Sequence, residues 1–129
     1  MWSRVETWFS RWPLIYRVLP PLIWMLLIFW LSSRPTLPHA PGPLDRWLKK
    51  GAHMAEYAVL LLLWWRTLAS RPTRFSPLSL AWILTVLYAV SDEFHQTFVP
   101  GRNGNLLDVI VDALGASLAA FGLRLTMRK

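Results

Sequence analysis

Ionisable and hydrogen-bonding side chains recur at helical spacing in three segments of this sequence. At about 100° per residue, side chains three and four positions apart share one face of a helix. Three such faces carry the polar residues: His53, Glu56 and Tyr57; Asp92, His95 and Gln96, with Glu93 at their shoulder; and Asp108 with Asp112. Imidazole and carboxylate groups transfer protons and bind metal ions. If the three faces meet, the chain holds an acidic site that contains histidine.

These residue types favour two kinds of chemistry. The candidates for proton transfer in catalysis are His53, Glu56, Glu93, His95 and Asp108. The candidate ligands of a divalent metal ion are His53, Glu56, Asp92, His95, Asp108 and Asp112. Helical bundles build metal sites from carboxylate and histidine pairs three residues apart. Two pairs here have that spacing, His53 with Glu56 and Asp92 with His95, and the histidine comes first in one and second in the other. A divalent metal ion is one candidate cofactor, and the sequence leaves open whether one binds.

Basic residues near these faces predict contact with a phosphate group. Lys49 and Lys50 lie one helical turn before the first polar face, and Arg102 follows the second. A guanidinium group can bind a phosphate through two N–H groups at once. With Tyr57 and Gln96, these three residues are the candidate substrate-binding residues.

The composition indicates that the polar faces lie in a membrane. Of the 129 residues, 54% are hydrophobic and 16% are charged, and the mean hydropathy is +0.33. The net charge is +7, but the basic residues punctuate apolar runs, which is typical of membrane topology rather than of nucleic-acid binding. The sequence has no cysteine, which excludes a disulfide framework and thiolate catalysis. The length predicts a single domain, residues 1–129.

Four apolar runs are each long enough to cross a bilayer, which needs roughly 20 apolar residues in a helix. They cover about residues 14–31, 47–68, 77–98 and 106–127. Prolines that would stop a helix fill the first connection: Pro35, Pro38, Pro41 and Pro43. We therefore expect an all-α fold, an integral membrane bundle of four transmembrane helices.

The charged residues predict how this bundle is oriented. With four spans, most Lys and Arg residues lie on the side that holds both termini and the second connection. Cytoplasmic loops carry an excess of Lys and Arg, so both termini are expected in the cytoplasm. All acidic residues except Glu6 lie toward the other side, so the polar site is expected to face outward.

Small residues on the last helix predict close packing. Gly115, Ala119 and Gly122 continue the stripe that begins with Asp108 and Asp112. A Gly-x-x-x-Ala spacing lets a neighbouring backbone approach closely in lipid. Close packing would place both aspartates against another helix.

Two motifs and two later residues resemble the VanZ-like family of membrane proteins. They are His53-x-x-Glu56-Tyr57, then Glu93-x-x-Gln96-x-Phe98-x-Pro100-Gly101-Arg102, then Asp108 and Gly115. The resemblance covers about residues 45–120, and the first helix matches only as an apolar span. Asp112 stands where members of the family often have Asn.

The resemblance implies a small helical bundle in the bacterial cytoplasmic membrane. The founding member of the family is associated with low-level resistance to the glycopeptide teicoplanin, so a role in such resistance is implied for this chain. The motif residues carried over by position are His53, Glu56, Tyr57, Glu93, Gln96, Arg102 and Asp108.

Three functions fit these observations. The first is binding or transport of an envelope lipid or its phosphate headgroup. The second is a metal-dependent hydrolase or transferase that acts on an envelope lipid. The third is a non-catalytic interaction module of an envelope complex, in which the buried polar groups serve only the register of the helices. The expected partners are membrane lipids and a lipid-linked substrate, with no nucleic acid. The substrate, any catalysis and the oligomeric state stay open, as does whether Asp92 or Glu93 faces the site.

Overall fold

The computed structural model of this chain describes residues 11–34, 42–70, 74–100 and 104–128. Within these ranges the fold is all-α and contains no strand. Its four helices are α1 (Leu14–Ser32), α2 (Pro43–Ala69), α3 (Pro77–Gln96) and α4 (Leu106–Met127). The four predicted apolar runs each coincide with one helix to within two residues, except that α2 begins four residues before its run.

Local signals decide where the helices begin. Ser76 and Asn105 cap α3 and α4, and each side chain accepts a hydrogen bond from a backbone N–H of the first turn. The prediction that Pro43 stops a helix is wrong, because Pro43 lies in the first turn of α2, where its missing N–H group would have no helical partner. The other prolines of that connection, Pro35, Pro38 and Pro41, lie outside the described residues.

α2 is the central helix and packs against the other three helices. Two clusters of buried apolar side chains form the core along it. One consists of Leu61, Trp65, Ala81, Ala116 and Leu123. The other consists of Ile28, Tyr57, Leu60 and Ala89. Because α3 and α4 contribute mainly alanine to this core, their backbones lie close to α2.

Gly115 marks a close approach between α4 and α2. A Cβ atom at this position would lie 2.7 Å from the Cα atom of Met54 and would overlap the Met54 carbonyl oxygen. A larger residue therefore requires the two helices to move apart. This contact confirms the predicted close packing at Gly115. The predicted stripe does not continue to Gly122, where a Cβ atom would meet no described atom within 4 Å.

Two helices, α1 and α4, are long and apolar enough to cross a membrane. Only 17% of the apolar stretch of α1 and 28% of that of α4 are buried inside the bundle, whereas the core helix of a soluble protein is mostly buried. The outward side chains are large and apolar; Leu26 of α1 is 68% exposed and Leu118 of α4 is 62% exposed. An apolar surface of this extent is typical of contact with a membrane.

Arg17 holds the start of α1 against the end of α2. Its Nη1 atom donates a hydrogen bond of 2.9 Å to the Ser70 hydroxyl, and the Thr67 hydroxyl donates one of 2.7 Å to the Arg17 carbonyl oxygen. The Arg17 side chain is buried. These bonds hold the helices together at the end of the bundle where α2 ends and α3 begins. We call it the opposite end, because the predicted polar faces lie at the other end of the bundle.

Candidate functional site

The predicted polar faces meet at the other end of the bundle, which we call the polar end. It is formed by the C-terminal ends of α1 and α3 and the N-terminal halves of α2 and α4. Six polar side chains of the described residues there are at most 5% exposed: Ser32, Tyr57, Asp92, Glu93, Gln96 and Asp112. Buried polar groups are stable only when they bind one another, water or a ligand. Their contacts divide them into two groups.

Asp92 is the centre of the first group. Its Oδ2 atom accepts hydrogen bonds from the hydroxyls of Ser32 at 2.9 Å and Tyr57 at 3.1 Å. The Gln96 amide nitrogen donates to the same oxygen at 3.5 Å. Ser32 lies on α1, Tyr57 on α2 and Asp92 on α3, so one carboxylate joins three helices. This group therefore fixes how the three helices are aligned.

The second group consists of His53, Glu93 and Asp112, which come from α2, α3 and α4. One nitrogen or carboxylate oxygen from each lies within 4.8 Å of the other two. His53 Nδ1 lies 3.3 Å from Asp112 Oδ1, and the two side chains form an ion pair when the imidazole is protonated. The two groups are not aligned as a hydrogen bond. Among the described residues, neither oxygen of Asp112 accepts a hydrogen bond, and neither does Oε1 of Glu93.

Glu93 is tied to the start of α4. Its Oε2 atom accepts a hydrogen bond of 3.2 Å from the backbone N–H of Asn105. Gly104 permits this close passage, because a Cβ atom there would lie 2.5 Å from both the Glu93 carbonyl oxygen and the Thr97 side chain. The bond holds the Glu93 carboxylate at the edge of the second group.

Asp92 and Glu93 both face the interior, which answers the question of which one points inward. Successive residues of a helix differ in direction by about 100°. α3 packs against α1, α2 and α4, so side chains that point in two neighbouring directions from α3 both contact another helix. Asp92 therefore contacts α1 and α2, while Glu93 contacts the start of α4.

Three of the predicted catalytic or metal-binding residues, His95, Glu56 and Asp108, lie outside both groups. The His95 ring is half-buried and stacks on Phe29 with a centroid distance of 4.3 Å. Glu56 is half-buried, and its backbone carbonyl accepts a hydrogen bond of 2.9 Å from Trp24. Asp108 is half-buried in the first turn of α4, where a negative charge stabilises the helix dipole.

The sequence therefore predicts only part of the grouping. Of the predicted metal ligands, the structure brings His53 and Asp112 together. It adds Glu93, which the sequence indicates as a proton-transfer group only. Asp92 belongs to the hydrogen-bonded first group instead.

The predicted phosphate-binding residues differ in their contacts. Lys49 forms an ion pair with Asp45 over one helical turn, with 2.9 Å between Nζ and Oδ2. Lys50 is half-buried and forms no ion pair with the described residues. Arg102 lies outside the described residues.

Two residues of the site, Ser32 and Asn105, have no signal in the sequence for their role. An Asn directly before an apolar run is an N-cap signal, which places Asn105 at the start of α4 but does not predict its bond to Glu93. Ser32 is one of two adjacent serines at the end of an apolar run. Only the rotation of α1 in the bundle selects it as the donor to Asp92.

Apolar helices around a buried acidic site that contains histidine define a helical protein with an affinity for membranes. The chain belongs to the VanZ/LLP1 family, whose family model matches residues 17–127. This match confirms the resemblance and extends it from residues 45–120 to most of the chain, α1 included. Together with the two apolar helices, it indicates a membrane protein. Neither a curated protein nor a solved structure matches the chain.

Proposed function

We propose that this chain is a multi-pass protein of the bacterial cytoplasmic membrane whose polar end faces outward and binds an envelope lipid through its phosphate headgroup. In this proposal all four helices span the bilayer and both termini lie in the cytoplasm. The VanZ/LLP1 family and the two apolar helices support the membrane location. The family resemblance also implies a role in teicoplanin resistance.

The packing of the helices supports four spans. All four helices belong to one bundle, so α2 and α3 lie at the same depth as the apolar α1 and α4. The 20 residues of α3 extend over about 30 Å, the thickness of the hydrocarbon core of a bilayer. Large apolar side chains also cover the outer faces of α2 and α3: Leu62, Ile83, Leu87 and Val90 are 40%, 48%, 61% and 49% exposed.

The positions of the arginines support the orientation. Six described arginines lie at the opposite end of the bundle: Arg11, Arg17, Arg66, Arg74, Arg124 and Arg128. Short cytoplasmic segments are enriched in Lys and Arg. The opposite end is therefore assigned to the cytoplasm and the polar end to the outer face.

The contrast between two adjacent lysines carries the proposal of headgroup binding. Asp45 neutralises Lys49, whereas Lys50 has no carboxylate partner among the described residues. Lys50 is half-buried one helical turn before His53, at the rim of the polar end. A lysine at this depth attracts an anionic headgroup by about 1 kcal/mol. Lys50 is therefore a described cation that is placed to contact a phosphate, and Arg102 is a second, predicted contact.

The buried acids give the proposed site a way to release its ligand. Asp112 and Glu93 are more deeply buried than Lys50, and His53 lies beside them. Proton uptake by these groups changes the charge next to a bound phosphate. Without a bound metal ion, proton exchange in this group would therefore accompany binding and release of the lipid.

The proposal is tested with the full chain in detergent and a soluble short-chain phosphatidic acid as the probe. Isothermal titration calorimetry should show saturable binding to the wild type. Lys50→Gln should weaken the affinity about fivefold, the loss that corresponds to about 1 kcal/mol. Lys49→Gln is the matched control and should keep the wild-type affinity, because Asp45 neutralises this lysine. No saturable binding, or equal losses in both variants, would contradict the proposal.

A second function, hydrolysis or group transfer on an envelope lipid, is favoured by the position of His53 beside Asp112. A carboxylate next to an imidazole orients the ring and supports it as a general base. This function predicts release of phosphate or headgroup from a labelled envelope lipid extract by the wild type and none by Asp112→Asn. Binding without turnover would leave recognition or transport. Neither binding nor turnover would favour the interaction module.

A further inference from the structure

We propose that His53, Glu93 and Asp112 form a binding site for one divalent transition-metal ion, with zinc and manganese as the matching ions. The ion would also contact the phosphate of a bound lipid. That contact rests on the proposed function, whereas binding of the ion does not.

The donor set decides the class of metal. One imidazole nitrogen and two carboxylates suit Zn²⁺, Mn²⁺ or Fe²⁺. Magnesium and calcium favour sites made only of oxygen ligands. Since α2, α3 and α4 each supply one ligand, the site exists only in the folded bundle.

The distances fit a common ion. Zinc lies about 2.0–2.2 Å from nitrogen and oxygen ligands, so two ligands at the tetrahedral angle are about 3.4 Å apart. His53 Nδ1 and Asp112 Oδ1 are 3.3 Å apart. One oxygen of Glu93 lies within 4.8 Å of one ligand atom of each of the other two residues, close enough for the three side chains to share an ion.

The burial of the acids favours a positive charge at this position. Asp112 is 0% exposed and Glu93 is 5% exposed, and three of their four oxygens have no hydrogen-bond donor among the described residues. Two neighbouring carboxylates in an interior repel each other unless cations balance them or one is protonated. A protonated His53 balances only one negative charge. A divalent ion balances both and leaves the imidazole neutral, the form that binds metals.

Asp92, another buried acid of the polar end, differs from these two. Its Oδ2 atom accepts hydrogen bonds from Ser32, Tyr57 and Gln96. Its Oδ1 atom has no hydrogen-bond donor among the described residues, but Asp92 is not among the clustered ligands. The proposed site therefore consists of His53, Glu93 and Asp112.

The surroundings hold the ligands and leave a route for the ion. The contact of Gly115 with the Met54 backbone keeps α4 and α2 together beside the site. The Asn105 N–H group holds one oxygen of Glu93. The His53 side chain is 24% exposed, which leaves an opening to the site on this side. Ligands that are positioned in advance bind a metal more tightly.

The test titrates Zn²⁺ into the chelator-treated full chain in detergent, without lipid, by isothermal titration calorimetry. The wild type should bind one ion per chain. His53→Gln, Glu93→Gln and Asp112→Asn should each lower the affinity at least about tenfold. Asp45→Asn removes a carboxylate at the same end outside the site and should leave the affinity unchanged. Size-exclusion elution and circular dichroism show whether each variant is folded.

A measurement on Mn²⁺-loaded protein keeps the proposal testable if a variant does not fold. Pulsed electron paramagnetic resonance of the wild type should show coupling of Mn²⁺ to an imidazole nitrogen, and His53→Gln should remove it. Wild-type protein without saturable Zn²⁺ binding and without nitrogen coupling would overturn the metal site and leave an ion pair. Zinc binding without any binding of phosphatidic acid would uphold the metal site and reject the lipid.

Discussion

The 3.3 Å contact between His53 and Asp112 lies directly beside the place where the backbones of α2 and α4 approach each other. His53 precedes Met54, whose backbone rests on Gly115, and Asp112 lies one helical turn before that glycine. Because Gly115 has no side chain, the two helices come close enough for an imidazole and a carboxylate to meet. The small residue therefore creates the polar contact.

Gly115→Ala should destabilise the protein by about 1–3 kcal/mol, because the added methyl group overlaps the Met54 backbone. Gly122→Ala is the matched control on the same helix, where a Cβ atom meets no described atom within 4 Å. It should be neutral or stabilise the helix by about 0.5–1 kcal/mol. Thermal unfolding in detergent, followed by circular dichroism, measures both. Equal stability of Gly115→Ala and the wild type would show that the helices do not approach as described.

Tyr57→Phe should lower the free energy of unfolding by about 1.5–3 kcal/mol, because it removes a buried hydrogen bond to the Asp92 carboxylate. Tyr16→Phe is the control, since Tyr16 is exposed on α1. Unfolding in mixtures of mild detergent and dodecyl sulfate gives both values. If Tyr57→Phe and Tyr16→Phe are equally stable, Asp92 does not join the helices as we describe.

The helix boundaries could be predicted closely because long apolar runs end at charges, prolines and caps along the chain itself. The start of α4 is the clearest example, since Asn105 stands directly before the apolar residues. The start of α2 differs from the prediction, because the prediction assigns Pro43 to the connection, whereas a proline also fits the first turn of a helix. A proline alone does not distinguish these two positions.

The site could be predicted in its residue types but not in its pairing. His53 and Asp112 carry chemistry that is visible in any sequence, and helical spacing placed them on polar faces. Which acid meets which histidine depends on how each helix is rotated, and this is decided by contacts such as that of Gly115. The donor role of Ser32 depends on the same rotation.

Whether α3 crosses the membrane can be tested by labelling single introduced cysteines, because the sequence has no native cysteine. Arg74→Cys and Thr97→Cys flank α3 and replace exposed residues at its two ends. An impermeant maleimide should label the second variant in intact cells and the first only after permeabilisation. Labelling of both variants, or of neither, in intact cells would contradict a single crossing by α3.

Expression of the chain in a teicoplanin-susceptible bacterium should raise the lowest inhibitory concentration of the drug, as the family resemblance implies. Glu93→Gln should abolish the effect at equal protein levels, because it removes a buried carboxyl group of the second group. Asp45→Asn should keep the effect. Full resistance with Glu93→Gln would make this residue structural.

Binding of a phosphate-bearing lipid at the polar end is tested most directly by native mass spectrometry of the chain released from bacterial membranes in mild detergent. The wild type should retain one such lipid per chain, Lys50→Gln should retain clearly less of it, and Lys49→Gln should retain as much as the wild type. A wild-type chain that is released without lipid, or a Lys50→Gln chain that retains as much lipid as the wild type, would contradict the proposed function.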